Sequence, residues 1–259
     1  MKNEISIIRF GKKFVIITLY LILLFSCNKK AESKNDDQLR VLFIGNSYTF
    51  NNSLTNQVEE MFTDQNEAVS IEIKSFTPGG ARLQDHLNSS FTMDAIRDGN
   101  WDIVIIQGHS LEPLKNPVGF RDAALTLIKI AKDTGSEVYL FETWSRASGE
   151  PEYSEQWSGR NPDAMQKLLS KEYTDVAISA NAAVIPIGRI WQIIRTEMPE
   201  IELYSTDGSH PTPCGSYLAA CVIYKYIFDE DPTELEYYPI GIKKSEAEKL
   251  RIAAENIIF

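Results

Sequence analysis

Apolar and polar positions along this chain switch repeatedly between the period of a strand and the period of a helix, regularly from about residue 40 onward. Val41-Leu42-Phe43-Ile44 is an apolar run without alternation that stops at Gly45, the pattern of a strand buried on both faces. Asn51-Asn52-Ser53 offers helix caps before Leu54, Val58 and Met61, which predicts a helix over about 53–64. Val69 to Phe76 alternates as a second strand and ends in Thr77-Pro78-Gly79-Gly80, before a helix that carries Leu83, His86 and Leu87. Asp102-Ile103-Val104-Ile105-Ile106 is uninterrupted and predicts a central third strand. A helix over about 120–133 places Ala123, Leu127, Ile128 and Ala131 on one face and closes at Gly135.

The fourth strand, Glu137 to Phe141, opens into a long polar loop from Glu142 to about Asn161. Compact domains seldom spend so many residues on a connection without a use for it. A helix over about 162–180 leads to a short strand, Ala183 to Ile187, and to a helix with Ile190, Trp191, Ile193 and Ile194. Thr212 caps a helix that starts at Pro213 and turns Tyr217, Leu218, Val222 and Ile223 inward. An amphipathic helix over about 243–257 closes the chain. Strand and helix units in this order predict an α/β fold with five parallel strands in one doubly wound layer, covered on both sides. No linker, internal repeat or second domain interrupts it.

The first residues break the pattern. Lys2, Arg9, Lys12 and Lys13 precede an apolar run from Phe14 to Phe25, too short for the ~20 residues a bilayer-spanning helix needs, and a polar stretch follows Cys27. That is the layout of a secretory signal. Leu24-Phe25-Ser26-Cys27 also resembles the bacterial lipobox, with Phe25 its less typical position; the resemblance implies cleavage before Cys27, a lipid on its thiol and a place in the bacterial cell envelope. The chain then divides into a signal peptide over 1–26, a tether over 27–38 and one domain over 39–259.

With 259 residues, 43% of them hydrophobic and 24% charged, the composition is globular and excludes only disordered and fibrous classes. Charge says more. Loss of residues 1–26 would make the chain more acidic than its formal −10, which argues against nucleic acid or anionic lipid held by charge and leaves the lipid anchor as the contact with the membrane. Neutral sugars and uncharged esters remain compatible. Cys214 and Cys221 lie seven apart in a predicted helix, about 10 Å along its axis, too far to bridge; both read as small core residues.

The chemistry gathers at strand ends. Gly45 stops the first strand and delivers Ser47 to the turn beyond it, the crevice where open α/β sheets bind ligands. Taken alone, Ser47 reads equally as a helix cap. Asp207-Gly208-Ser209-His210 changes the balance, because a serine nucleophile needs a base and the base needs a carboxylate to fix its tautomer. His86, on an amphipathic helix, reads as a packed or half-exposed residue. No spacing of His with carboxylates imitates a metal site and no glycine loop imitates a phosphate cradle, so neither metal nor cofactor is expected.

These blocks, in this order, resemble the SGNH or GDSL-like hydrolase superfamily over almost all of residues 39–228. Gly45-Asn46-Ser47-Tyr48 matches the nucleophile block, with Asn46 where an aspartate is usual. Gly79-Gly80 matches the second block and Asp207 to His210 the acid and base block. The resemblance implies a flavodoxin-like three-layer α/β/α sandwich with a five-stranded parallel sheet, and ester hydrolysis by Ser47 with His210 as base and Asp207 as its partner. It also implies an oxyanion hole from the backbone N–H groups of Ser47 and Gly80. The third block departs: Gln107-Gly108-His109-Ser110 stands where Gly-x-Asn-Asp is usual, so the third donor is either His109, in the place of the asparagine, or Gln107, whose amide sits at the strand end. Trp144, Tyr153 and Trp157 in the long loop either stack on a sugar or pack the loop itself. The expected substrate is an acylated carbohydrate or another small ester. A lipid or thioester acylhydrolase is the other enzymatic reading, and a surface carbohydrate-binding protein on a decayed hydrolase scaffold the non-enzymatic one.

Overall fold

The computed structural model describes residues 38–65 and 69–256. The expected signal peptide, Cys27 and all of the tether except Gln38 lie outside the described residues; Gln38 opens the first strand. Five strands form one sheet: β1 (Gln38–Ile44), β2 (Ser70–Phe76), β3 (Ile103–Gln107), β4 (Glu137–Phe141) and β5 (Ala183–Ile185). All pairings are parallel and the spatial order is β2-β1-β3-β4-β5, the flavodoxin-like doubly wound arrangement.

Helices α1 (Ser47–Phe50) and α2 (Leu54–Gln65) follow β1. After β2 come α3 (Leu83–Asn88) and α4 (Ser90–Asp98), and after β3 come α5 (Glu112–Lys115) and α6 (Pro117–Asp133). Helix α7 (Pro162–Ala180) joins β4 to β5, and α8 (Ile187–Glu197), α9 (Pro213–Phe228) and α10 (Lys244–Glu255) complete the chain. The pleat of the central strands sorts the core into two. Val41, Phe43 and Ile105 pack on one face with α2, α8, α9 and α10, while Leu42, Ile44, Val104 and Ile106 pack on the other with α3, α4, α6 and α7. Both faces are covered, so β1 and β3 read in sequence as unbroken apolar runs. The molecule over these residues is a three-layer α/β/α sandwich.

Several boundaries differ from the sequence reading for local reasons. Helix α6 starts at Pro117 because Asn116 caps it, accepting from the Gly119 N–H. Strand β5 stops at Ile185, since Pro186 cannot donate to a ladder. Three helices lie outside the sequence reading: the four-residue α1, in what read as a turn, α4, which Ser89 caps directly as α3 ends, and the four-residue α5. Helix α9 is buried all round from Gly215 to Tyr224 rather than on one stripe, because α2, α8 and α10 pack against it. Cys221 lies inside it; Cys214, its second residue, is half-buried, and both thiols are free. Burial pushes the thiol of Cys221 up to about 12 and that of Cys214 to about 11.

Among the described residues no helix is long and apolar enough to cross a membrane, and no group of three or more His, Cys, Asp or Glu side chains is arranged to hold a metal ion.

Candidate active site

The turn after β1 is held by hydrogen bonds that leave little choice of geometry. A Cβ on Gly45 would sit 2.6 Å from Gln107 Oε1, so only glycine lets the chain pass the end of β3 this closely. The Asn46 N–H donates to the same Gln107 oxygen at 2.9 Å, and Thr49 Oγ1 donates to it at 3.1 Å. Asn46 then caps α1: its Oδ1 accepts from the Tyr48 N–H at 3.1 Å, and its Nδ2 donates to the Ala81 carbonyl at 3.0 Å. The second of these bonds needs an amide and ties the serine turn to the loop after β2. Ser47 is the first residue of α1, and its own N–H donates to nothing among the described residues.

The histidine turn is a small closed loop. Tyr204 and Pro211 form an antiparallel bridge, the Ser205 N–H donates to the His210 carbonyl at 2.7 Å, and the Gly208 N–H donates to the Ser205 carbonyl at 2.9 Å. Inside it Asp207 Oδ1 accepts from the N–H groups of Ser209 and His210 at 3.0 and 2.9 Å, while Oδ2 pairs with His210 Nδ1 at 2.5 Å. Partial burial works against the charged form of Asp207, but the bonds from the His210 ring and the two backbone N–H groups outweigh it and hold the carboxyl down to about 2. His210 Nε2 lies 2.8 Å from Ser47 Oγ. Hydroxyl, imidazole and carboxylate thus form one hydrogen-bonded line, with His210 and Asp207 open to solvent.

Further bonds join the same two chain segments. Asn52, at φ +53°, donates to the Pro211 carbonyl at 3.0 Å and to Ser216 Oγ at 2.9 Å, and the hydroxyls of Tyr48 and Ser209 bond at 2.8 Å. The Tyr48 and His210 rings pack T-shaped, with their centroids 5.7 Å apart.

The remaining sequence-derived residues fall out differently. Gly80 has φ +72°, with open space where a Cβ would be, and its N–H makes no hydrogen bond among the described residues. Gln107 is a correction. Its side chain is 1% exposed, its oxygen is taken by Asn46 and Thr49, and one of the two N–H groups of its amide donates to the Gly108 carbonyl, so the buried amide is committed to shaping the turn. His109 is half-buried and its ring makes no hydrogen bond among the described residues. Burial first, then the charges of Arg82, Arg146 and Lys115, push its imidazole below the ordinary histidine range, which keeps one N–H donor on a neutral ring.

Trp144 is also a correction, for it is 0% exposed and cannot stack on a ligand. Its ring lies between Tyr48 (4.4 Å) and Trp191 (3.9 Å), and its Nε1 donates to the Ser209 carbonyl at 2.9 Å. Tyr153 and Trp157 are partly buried against Leu111, Met165 and Leu169. The Tyr153 hydroxyl donates to the Arg146 carbonyl at 2.6 Å, and Lys115 sits over the Trp157 ring. Both pack the loop and remain partly exposed.

His86 is 2% exposed, with Nε2 at 2.8 Å from the Gly45 carbonyl and Nδ1 at 3.3 Å from Thr92 Oγ1. It buttresses the serine turn from behind, a task its helical spacing did not announce. Arg146 escaped the sequence reading as well. It lies in the long loop already singled out, but one arginine in a polar stretch carries no spacing that marks it.

No protein-family model matches the chain, and no curated protein matches it. Solved structures do. A protein from Slackia heliotrinireducens described as a candidate SGNH hydrolase is 27% identical, with a TM-score of 0.63 over 73% of this chain and 99% of its own. A DUF4886 family protein from Bacteroides uniformis is 20% identical, with a TM-score of 0.68 over 85% of this chain and 94% of its own. An acetyl xylan esterase, AlAXEase, is 14% identical, with a TM-score of 0.57 over 73% of this chain and 100% of its own. Since the first of these is matched over nearly its whole length, and the sheet order is the one that the serine, glycine and histidine blocks imply, this chain has the SGNH/GDSL-like hydrolase fold.

Proposed function

We propose that this chain is a serine esterase that hydrolyses O-acyl esters, O-acetyl groups on carbohydrate foremost, through an acyl-Ser47 intermediate. The observation that carries the reading is the line from Ser47 Oγ through His210 to Asp207, set beside two backbone N–H groups, of Ser47 and Gly80, that no group among the described residues occupies. His210 Nε2 takes the hydroxyl proton as Ser47 Oγ attacks the ester carbonyl, and Asp207 stabilises the imidazolium. The two N–H groups, with the neutral ring of His109 as third donor, hold the oxyanion. His210 returns the proton to the leaving alcohol, then activates the water that frees the acid and restores Ser47.

Carbohydrate is favoured by the acidic chain, which repels polyanions, by the open His210 and Asp207, and by the likeness to a protein titled as an acetyl xylan esterase. The test is turnover of p-nitrophenyl acetate and release of acetate from a panel of acetylated polysaccharides. S47A should lower turnover by roughly a thousandfold or more while the fold melts as before; retained turnover would refute the nucleophile. Preference for long acyl chains or thioesters would move the reading to a lipid or thioester acylhydrolase. Glycan binding without ester turnover would mean a binding protein on this scaffold.

A further inference from the structure

Besides Ser47 and His210, a third side chain ties this edge of the sheet together. Arg146, in the loop after β4, has a side chain only 12% exposed. Its Nη1 donates to the Tyr48 hydroxyl at 2.5 Å and to Ser209 Oγ; its Nη2 donates to Ser110 Oγ at 3.2 Å; its Nε pairs with Glu152 at 3.1 Å. The loop that carries it is pinned in turn by Tyr153 on the Arg146 carbonyl and by the Ala147 N–H on the Gly208 carbonyl at 2.9 Å.

The partners are ordered by the chain. Tyr48 follows Ser47 and Ser209 precedes His210, so one guanidinium nitrogen grips the immediate neighbours of both ends of the proton-transfer pair. Ser110 belongs to the loop after β3, next to His109. Three loops that are remote in sequence are therefore held at fixed angles by one planar fork, while Tyr48, backed by Trp144, packs T-shaped against the His210 ring. Each donor nitrogen already has an acceptor within the protein, which leaves little of the guanidinium for a ligand.

Resting on the esterase reading above, we infer that Arg146 is a positioning residue, which sets the distance and angle between Ser47 and His210 without touching the reacting atoms. A misplacement of about 1 Å at such a pair can cost about a hundredfold in rate. A lysine would supply the charge but not the fork, so it cannot replace the arginine.

The experiment is steady-state hydrolysis of p-nitrophenyl acetate by the full chain carrying R146M, R146K or R146A. Melting curves and guanidinium chloride or ammonium chloride at millimolar concentration complete the design. R146M should lose about a hundredfold in kcat with KM within about twofold, R146K should recover only part of it, and guanidinium but not ammonium should raise the kcat of R146A. If R146M does not fold, Y48F together with S209A removes the acceptors while the guanidinium stays, and should lose about tenfold in kcat. A folded R146M with wild-type kcat overturns the inference, as does a rise in KM with kcat intact, which would make Arg146 a substrate contact. A wild-type chain inert on every ester would instead sink the esterase reading.

Discussion

Two residues behind Ser47 show what a side chain does when its identity is read with its partners. Asn46 stands where related blocks carry an aspartate, and its amide spends the oxygen on α1 and the nitrogen on the Ala81 carbonyl; a carboxylate could make only the first bond. His86 holds the Gly45 carbonyl from a buried position, and burial lowers its imidazole although the bond to Gly45 pulls the other way. The neutral ring is therefore favoured in the fold, and the unfolded chain binds the proton more readily. Stability should fall as the pH drops below about 6.5, the ordinary histidine value, and stop falling below the folded value. H86Q keeps a donor for Gly45 but cannot take up a proton. Melting temperatures at pH 7.5 and pH 5 should separate less in H86Q than in the parent chain; an equal separation in both would exclude His86 as a source of acid sensitivity. At this scale Ser47, Asp207 and His210 were legible because turn residues and a three-residue spacing mark them. Trp144 was not, since an aromatic in a loop looks the same in sequence whether it faces solvent or is sandwiched between Tyr48 and Trp191.

Among the elements, α9 couples the site to the core. It begins three residues after His210, Thr212 caps it by accepting from the Gly215 N–H at 3.2 Å, and Thr212 Oγ1 also donates to the Glu202 carbonyl at 2.6 Å. T212A should cost about 1 kcal/mol, a fall of about 2–4 °C in Tm for a chain of this size, measured by thermal melting. No change would mean that the backbone of the histidine turn alone starts the helix. The cap and Pro213 were plain in sequence. What was hidden was the surround of α9, because a helix buried on every side has no apolar stripe to measure. Helix α4 was missed for the converse reason: Ser89 ends one helix and starts the next with no turn residues between them.

For the molecule as a whole, burial and charge divide the labour between core and surface. The sheet supplies two apolar faces, the loops at its carboxyl edge supply the polar groups, and the acidic balance of the chain shapes what can approach. The expected lipid on Cys27 belongs to this scale, since it would set where the molecule resides. In a bacterial host C27S should move the protein from the membrane pellet to the soluble fraction without changing turnover of p-nitrophenyl acetate; unchanged membrane association would refute lipid attachment at that thiol.

Order and identity of the five strands and of the helices other than α1, α4 and α5 were decided by the sequence alone, because hydrophobic period is a local property that each segment carries with it. So were the serine turn and the Asp207 to His210 spacing, each contained within a few residues. Tertiary structure alone decided that Ser47 and His210, 163 residues apart, meet at 2.8 Å, that Gln107 turns inward to the Asn46 N–H, and that Arg146 spans three loops. Those outcomes depend on which loops a β2-β1-β3-β4-β5 sheet brings to the same edge, and no single segment records the position of its neighbours.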